Sequence, residues 1–394
     1  MIAWLLISFF VLLFLGVPIA MSLGLSAMGG ILFLGGGSTV TIAQRMFEGM
    51  NSFALLAIPL YTFAGFTMSK GGISKRLMAF CYSIVGHIYG GLAHVNVLSS
   101  MIFAGISGSA VADTAGVSGM FMPEMIRKGY SKNFTVAVTA ISSTIGIIIP
   151  PSIPMVVIAG ICGISTGKLF LGGIIPGILC GLAQMIVSYF LAKKEGVPKE
   201  PGHFTIGPVL HGLWESWPAL LMPIIIVGTI TMGIVSPTEA GVIAVVYGLF
   251  AGGIIYRELK WEDIKFAFAE TVRTSGRIFI VIGAAKLYTV MLTTAGFDKW
   301  VAKTMLGFST NPTVILIMIL LIFFIVTMFM ESIATLTLFM PILYPIALGV
   351  GINPIVLSVL ITVVIGIGLV TPPVGMCIYV ACDLERVYRI ALFA

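Results

Sequence analysis

Ala104-Gly-Ile-Ser-Gly-Ser-Ala-Val-Ala-Asp113-Thr114 leads to Met122-Pro123 and then to Thr144-Ile-Gly-Ile-Ile-Ile-Pro-Pro-Ser152. Later in the chain, Thr327-Met-Phe-Met-Glu331-Ser332 leads to Met340-Pro341 and then to Gly366-Ile-Gly-Leu-Val-Thr-Pro-Pro-Val374. Asp113 and Glu331 each stand ten positions before their proline (113 to 123, 331 to 341), and Ser109 and Thr327 stand fourteen before it. Thr114 matches Ser332, nine before the proline, and Gly146 matches Gly368, four before Pro150-Pro151 and Pro372-Pro373. On this pairing the second copy is four residues longer between its prolines, an insertion expected in the turn around Gly349 to Asn353. An ordered series of acid, hydroxyl, Met-Pro, glycine and Pro-Pro points to an internal duplication. Paired Gly/Pro-interrupted apolar segments mark the binding site of a secondary transporter.

Composition supplies the solvent for these segments. Of 394 residues, 59% are hydrophobic and 9% charged, against about 25% charged in a soluble domain. Apolar runs such as Leu5 to Phe33, Val314 to Met330 and Ile355 to Val370 approach the roughly 20 residues that cross a bilayer. About 10 to 13 such runs are expected. The net charge of +6 does not mark a nucleic-acid binder, because Lys and Arg cluster in short loops rather than on one face. Lys70 to Arg76, Arg127 to Lys132, Lys193 to Lys199 and Arg257 to Lys265 read as inside loops. The start at Met1 has neither a basic n-region nor a small-residue cleavage site and reads as a retained first helix. The fold class expected is therefore an all-α polytopic membrane protein.

The interrupted segments explain themselves in lipid. The first stretch of each copy is too polar for a plain span and reads as a re-entrant hairpin. Irregular backbone is tolerated at membrane depth only where protein or a watery cavity meets its polar groups, so the hairpin tip must face a site. A double proline removes two N–H donors and unwinds the helix, freeing upstream carbonyls. Free carbonyls and hydroxyls are hard ligands for a bare cation, while half-helix N-termini suit a carboxylate. Two sodium sites, one per copy, with an anionic substrate between them, are expected. Pro150, Pro151, Pro372 and Pro373 shape that site. Asp113 and Glu331 are either coupling groups or N-caps of a hairpin half-helix, and Thr114 and Ser332 share the capping reading.

Other features carry less chemistry. Lys193 to His211 reads as a polar connection between halves, and Tyr256 to Arg277 as a helix lying along the membrane interface. Lys286, inside an apolar run, is expected to pair with an acid. His87 and His94, seven apart, share a helix face, yet two histidines without a third ligand favour a structural role. Cys81, Cys162, Cys180, Cys377 and Cys382 lack metal-ligand spacing and read as buried thiols. Ser236-Pro-Thr-Glu239 reads as a capping box at a helix start. No GxxxxGK[ST] loop occurs, so an ion gradient rather than ATP is the expected drive and the chain reads as a transporter, not an enzyme.

The residues Gly105-Ile-Ser-Gly-Ser-Ala-Val-Ala-Asp-Thr, Met122-Pro-Glu-Met-Ile-Arg-Lys-Gly-Tyr-Ser131, Ile148-Ile-Pro-Pro-Ser-Ile-Pro154, Gly167-Lys-Leu-Phe170, Pro176 and Ser236-Pro-Thr-Glu-Ala240 together resemble the large membrane subunit of tripartite ATP-independent periplasmic (TRAP) transporters. That resemblance implies two inverted repeats, each with a re-entrant helical hairpin and a broken Pro-Pro helix, forming an elevator-type transport domain beside a scaffold. It implies Na+ coupling by two or more ions, a small four-helix membrane subunit, a periplasmic substrate-binding protein and an organic-acid substrate such as a C4-dicarboxylate or sialic acid. A multi-pass location in the bacterial inner membrane follows. The implied sodium ligands fall at Ser107, Ser109, Gly146 and Ile149 in the first repeat and at Thr327, Gly368 and Thr371 in the second. The implied division is scaffold over 1–100, first repeat over 101–192, scaffold with an interfacial arm over 193–312, and second repeat over 313–394. The family continues for another helix, and the step from Val380-Ala-Cys382 to Asp383-Leu-Glu-Arg386 is shorter than that from Ala159 to Lys168, so residues missing near Cys382 and beyond Ala394 are expected. Competing readings are a stand-alone sodium- or proton-coupled carboxylate transporter, an intramembrane aspartyl protease using Asp113 and Glu331 as a dyad, and a passive channel.

Overall fold

A computed structural model describes residues 1–34, 39–197 and 204–385. Among the described residues the regular structure is all helical: α1 (Ile2–Phe14), α2 (Ile19–Leu34), α3 (Thr39–Met50), α4 (Ala57–Lys70), α5 (Ile73–Val85), α6 (Gly91–Ser107), α7 (Ala110–Arg127), α8 (Lys132–Ser143), α9 (Ile153–Cys162), α10 (Thr166–Lys194), α11 (Ile206–Thr231), α12 (Pro237–Phe250), α13 (Trp261–Thr294), α14 (Phe297–Phe308), α15 (Pro312–Thr327), α16 (Ser332–Gly349), α17 (Pro354–Gly368) and α18 (Met376–Glu385). Among the described residues six helices are long and apolar enough to cross a membrane, and six shorter ones are apolar. Only 22% of the apolar window of α10 is buried inside the protein. Its outer face presents Ile175, Leu179, Ile186 and Phe190. An apolar exterior of this kind fits hydrocarbon as solvent.

The core is drawn from three groups of helices. Leu5, Phe9 and Leu23 of α1 and α2 pack on Tyr288 and Met291 of α13, and the Tyr288 hydroxyl donates to the Leu5 carbonyl at 2.8 Å. The capping box on α12 is present, with Glu239 N–H donating to Ser236 Oγ at 3.3 Å and Ser236 N–H to Glu239 Oε2 at 2.6 Å. Between α6 and α8, Asn96, Thr139, Ser142 and Ser100 form a buried chain of hydrogen bonds, a polar adhesive between helices that have no hydrophobic driving force in lipid.

Several expectations are corrected here. The charged stretch before Arg277 is not a separate interfacial helix: α13 runs unbroken for 34 residues. Its charges do not interrupt it because Ala267, Thr271 and Ser275 form a buried stripe at four-residue spacing, which keeps one face packed. The connection read over Lys193 to His211 is helical only at its ends, where α10 extends through Lys194 and α11 begins at Ile206; residues 198–203 lie outside the described residues. His87 sits in the turn between α5 and α6, its ring tilted against that of Phe204 with centroids 5.8 Å apart, so it shares no helix face with His94, whose Nε2 lies 3.1 Å from the Tyr89 carbonyl. Lys286 packs against Gly49 of α3 and lies within electrostatic reach of Glu48, but Glu48 makes its ion pair with Arg45 at 2.7 Å. Cys382 lies within α18, and the chain after Glu385 lies outside the described residues.

The largest correction concerns how the two copies line up. Helices α7 and α16 are both 18 residues long. Their starts at 110 and 332, the starts of α8 and α17 at 132 and 354, and the double prolines at 150 and 372 are each 222 apart. Pro123 therefore corresponds to Pro345, not Pro341, and no insertion is needed around Gly349 to Asn353. The similarity also begins earlier: α5 and α14, of 13 and 12 residues, each follow a left-handed glycine, Gly72 and Gly296.

Candidate transport site

Each copy brings a hairpin tip against the break at its double proline. In the first, α6 ends at Ser107, Gly108 takes a left-handed φ of +65°, and Ser109 caps α7 by accepting from Ala112 N–H at 3.4 Å. The Gly108 carbonyl then accepts the Ile153 N–H at 3.1 Å, which ties the tip to the helix that follows Pro150-Pro151. Glycine is required at this crossing, because a Cβ there would sit 2.7 Å from the Pro151 carbonyl oxygen and the left-handed φ disfavours other residues. In the second copy α15 ends at Thr327, and the Met328 carbonyl accepts the Val374 N–H at 3.2 Å.

The prolines act through the donors they lack. Pro150 and Pro151 cannot donate to the Gly146 and Ile147 carbonyls, nor Pro372 and Pro373 to those of Gly368 and Leu369. Ser152 Oγ donates to the Ile147 carbonyl at 2.6 Å. Thr371 N–H donates to the Gly368 carbonyl at 3.1 Å, and Cys377 N–H to that of Leu369 at 3.1 Å. Thr371 Oγ1 donates to the Ile367 carbonyl at 2.6 Å, and Thr327 Oγ1 to the Phe323 carbonyl at 2.6 Å. Ile149 donates its N–H to the Ile145 carbonyl at 3.0 Å. Of the expected cation ligands, Ser107, Ser109 and Gly146 meet around Asp113 at the first tip and Thr327 meets Gly368 at the second; Thr371 reaches the Gly368 carbonyl through its N–H, and the Ile149 side chain packs on Gly177 of α10 instead.

The two acids do different things. Glu331 is the N-cap of α16: Oε2 accepts from Ile333 N–H at 2.8 Å and Ala334 N–H at 3.4 Å, and Oε1 accepts from Ser332 Oγ. Asp113 lies one turn inside α7 and is fully buried. Its Oδ1 accepts from Ser107 Oγ, and its Oδ2 has no hydrogen-bond partner among the described residues. Oδ2 lies over Gly146, where any Cβ would overlap it. The capping reading therefore holds for Glu331 and fails for Asp113 and Thr114, since Ser109 takes the cap and Thr114 Oγ1 donates to the Ala110 carbonyl at 2.9 Å. Ser332 supports Glu331 and is not itself the cap. At the constant spacing, Ser109 corresponds to Glu331 and Asp113 to Thr335. Neither acid hydrogen-bonds the other, so the protease reading loses its shared-proton dyad.

The copies interlock. Helix α18 packs on α7 and α8, and α9 packs on α16, so each half-helix after a double proline lies on the other copy's hairpin. Sequence reasoning missed Cys377, whose buried thiol meets the Thr114 hydroxyl and lies within electrostatic reach of both Asp113 and Glu331. Its place four residues after Pro373, one turn beyond the break, was the available signal. What converges is a buried cluster of hydroxyls, backbone carbonyls and one carboxylate oxygen without a donor, a donor set suited to a hard cation.

Comparison with known proteins agrees with this architecture. Residues 6–393 match the family model for the tripartite ATP-independent periplasmic transporter, DctM component. The chain belongs to that family. It is 38% identical over 378 residues to the isethionate TRAP transporter permease protein DctMQ of Oleidesulfovibrio alaskensis, covering 96% of this chain and 60% of the relative. It is 36% identical over 369 residues to the sialic acid TRAP transporter large permease protein SiaM of Vibrio cholerae, covering 94% of this chain and 86% of that one. The chain thus spans most of one relative's length and three fifths of the other's. Among solved structures it is similar to the YdaH transporter of Alcanivorax borkumensis, with a TM-score of 0.61 and 14% identity over 89% of this chain and 81% of that one, a likeness of fold alone. As a member of the TRAP large-subunit family with many apolar helices, the chain is a multi-pass membrane protein and a permease component of a transporter.

Proposed function

We propose that this TRAP permease carries out sodium-coupled uptake of a small organic acid across the bacterial inner membrane by an elevator movement. The observation that carries the reading is Asp113 Oδ2, buried without a donor where the first hairpin tip meets the Gly146 turn. A carboxylate oxygen in that position is stabilised by a bound cation. Ser107, Ser109, Gly146 and Ile149 hold one sodium ion with Asp113 beside it, and Thr327, Gly368 and Thr371 hold a second. The two copies act as inverted repeats with re-entrant hairpins, residues 101–192 and 313–394 moving as the transport domain against a scaffold of 1–100 and 193–312. The organic acid binds between the tips, beside Thr114 and Ser332, where the N-terminal ends of the half-helices after Pro151 and Pro373 offer donors. The relatives' names carry isethionate and sialic acid, both small organic anions, and C4-dicarboxylates belong to the same chemical class. A small four-helix membrane subunit and a periplasmic binding protein complete the system.

The test is uptake of labelled isethionate, sialic acid or succinate into liposomes holding the chain with both partners, with and without an inward sodium gradient. Uptake that requires sodium and the binding protein is expected. Uptake without either partner would establish a stand-alone carrier instead, and flux indifferent to the gradient would establish a passive channel.

A further inference from the structure

The turn Gly71-Gly72 between α4 and α5 and the turn Ala295-Gly296 between α13 and α14 occupy the same place, ahead of the two hairpins, with left-handed φ values of +78° at Gly72 and +79° at Gly296. Their surroundings differ. A Cβ on Gly71 would lie 2.9 Å from the Cα of Gly252, and one on Gly72 would overlap the Glu258 carboxylate. Arg76, one turn into α5, donates from Nη1 to the Gly72 carbonyl at 3.0 Å and pairs through Nη2 with Glu258 at 2.7 Å. Its guanidinium also lies 4.1 Å from the centre of the Tyr256 ring. The Tyr256 hydroxyl donates to the Glu215 carbonyl at 2.9 Å, and Ser216 Oγ donates to the Arg76 carbonyl at 3.0 Å. One arginine therefore joins α5 to α11 and to the connection between α12 and α13. At the second turn nothing lies within 4 Å of a Cβ on Gly296, and Trp300, which takes the position of Arg76 four residues after the glycine, is 59% exposed.

We infer that Arg76 is a positioning residue of the transport cycle: with Glu258 and Tyr256 it pins the start of α5 to the second part of the scaffold, so that the first hairpin is carried from a fixed point. Among the described residues, α14, which leads to the second hairpin, has no such clamp at Gly296. A planar guanidinium that is stacked and ion-paired together holds orientation as well as distance, which a lysine does not. The inference rests on the proposed elevator movement. Sodium-dependent uptake by the unaltered complex tests the proposed transport separately and comes first.

The probe is sodium-22 entry into liposomes holding the complex, with isethionate, sialic acid and succinate supplied outside. Arg76→Ala is expected to lower the maximal rate about tenfold with the half-saturating concentration within about twofold, a loss confined to the moving step. Arg76→Lys recovers only part of it. The double reversal Arg76→Glu with Glu258→Arg is expected to return the rate to within about threefold. In a second arm, cysteines placed at 76 and 258, in an active background without native cysteines, are joined by a short bis-methanethiosulfonate. The cysteine pair is expected to be as slow as Arg76→Ala before joining, and a pinned joint keeps or regains sodium-22 entry when joined. Entry that stops on joining and returns on reduction would show that the contact must open, and would overturn the inference. An Arg76→Ala complex with wild-type rate would overturn it as well.

Discussion

Gly146→Ala tests the first cation site at its tightest point. The added methyl would overlap Asp113 Oδ2, and the carboxylate cannot move aside freely because Oδ1 is held by Ser107 Oγ and the side chain is fully buried. Overpacking a close-packed interior costs about 1–3 kcal/mol. If that cost falls on the arrangement that accepts the ion, it weakens sodium binding roughly 5- to 150-fold. The assay is sodium-dependent uptake by the reconstituted complex over a titration of external sodium, read as the half-saturating concentration. Gly116→Ala is the control, since nothing lies within 4 Å of its Cβ position and it sits in the same hairpin. Alanine in a helix interior is favoured over glycine by about 0.5–1 kcal/mol, so that variant should keep the wild-type sodium response. An unchanged sodium titration in Gly146→Ala would refute the placement of the ion beside Asp113.

Gly368→Ala meets Thr327 in the second copy in the same way and should also raise the half-saturating sodium concentration in that titration. Ser107→Ala removes the donor to Asp113 Oδ1; leaving that oxygen unsatisfied costs about 1–3 kcal/mol, so uptake at limiting sodium should fall at least fivefold while saturating sodium restores part of it. Glu331→Ala removes two backbone contacts at the N-cap of α16 and should cost about 1 kcal/mol, measured as a lowered melting temperature in detergent, whereas Glu331→Gln should lose less. Ser236→Ala breaks the exposed capping box of α12; it should lower thermal stability by about 0.5–2 kcal/mol and leave the sodium titration where it was.

Features that act through backbone chemistry were readable in the sequence. Pro150-Pro151 and Pro372-Pro373 announce missing donors wherever they stand, the interval 104–114 is too polar for lipid, and Ser236 with Glu239 carries its own cap geometry. Pairing the acids failed for an equally physical reason. Met-Pro falls in the interior of α7 and α16, where proline marks no boundary, and α16 holds two prolines, Pro341 and Pro345. Choosing Pro341 moved the alignment by one helical turn, enough to make Asp113 and Glu331 look equivalent. The N-cap is a firmer anchor, because only one residue can sit where the helix begins. Cys377 and Arg76 were silent because their importance comes from elements far away in sequence. Charge misled the reading of α13, whose buried stripe of Ala267, Thr271 and Ser275 outweighs the acids and bases on its other faces.

The packing of α18 on α7 and α8 also sets a timetable for biosynthesis. Thr114 meets its partner Cys377 only after some 260 further residues have been made, which at about 5–20 residues per second takes roughly 13 to 50 s. For that interval the first hairpin, with its buried carboxylate and its tip of Ser107, Gly108 and Ser109, has left the ribosome without the helix that covers it. The nascent chain must be sheltered from lipid by the insertion machinery or by a provisional contact until α18 arrives. Truncation or stalling just short of Met376 would leave a polypeptide with this polar tip uncovered, a natural substrate for membrane quality-control proteases.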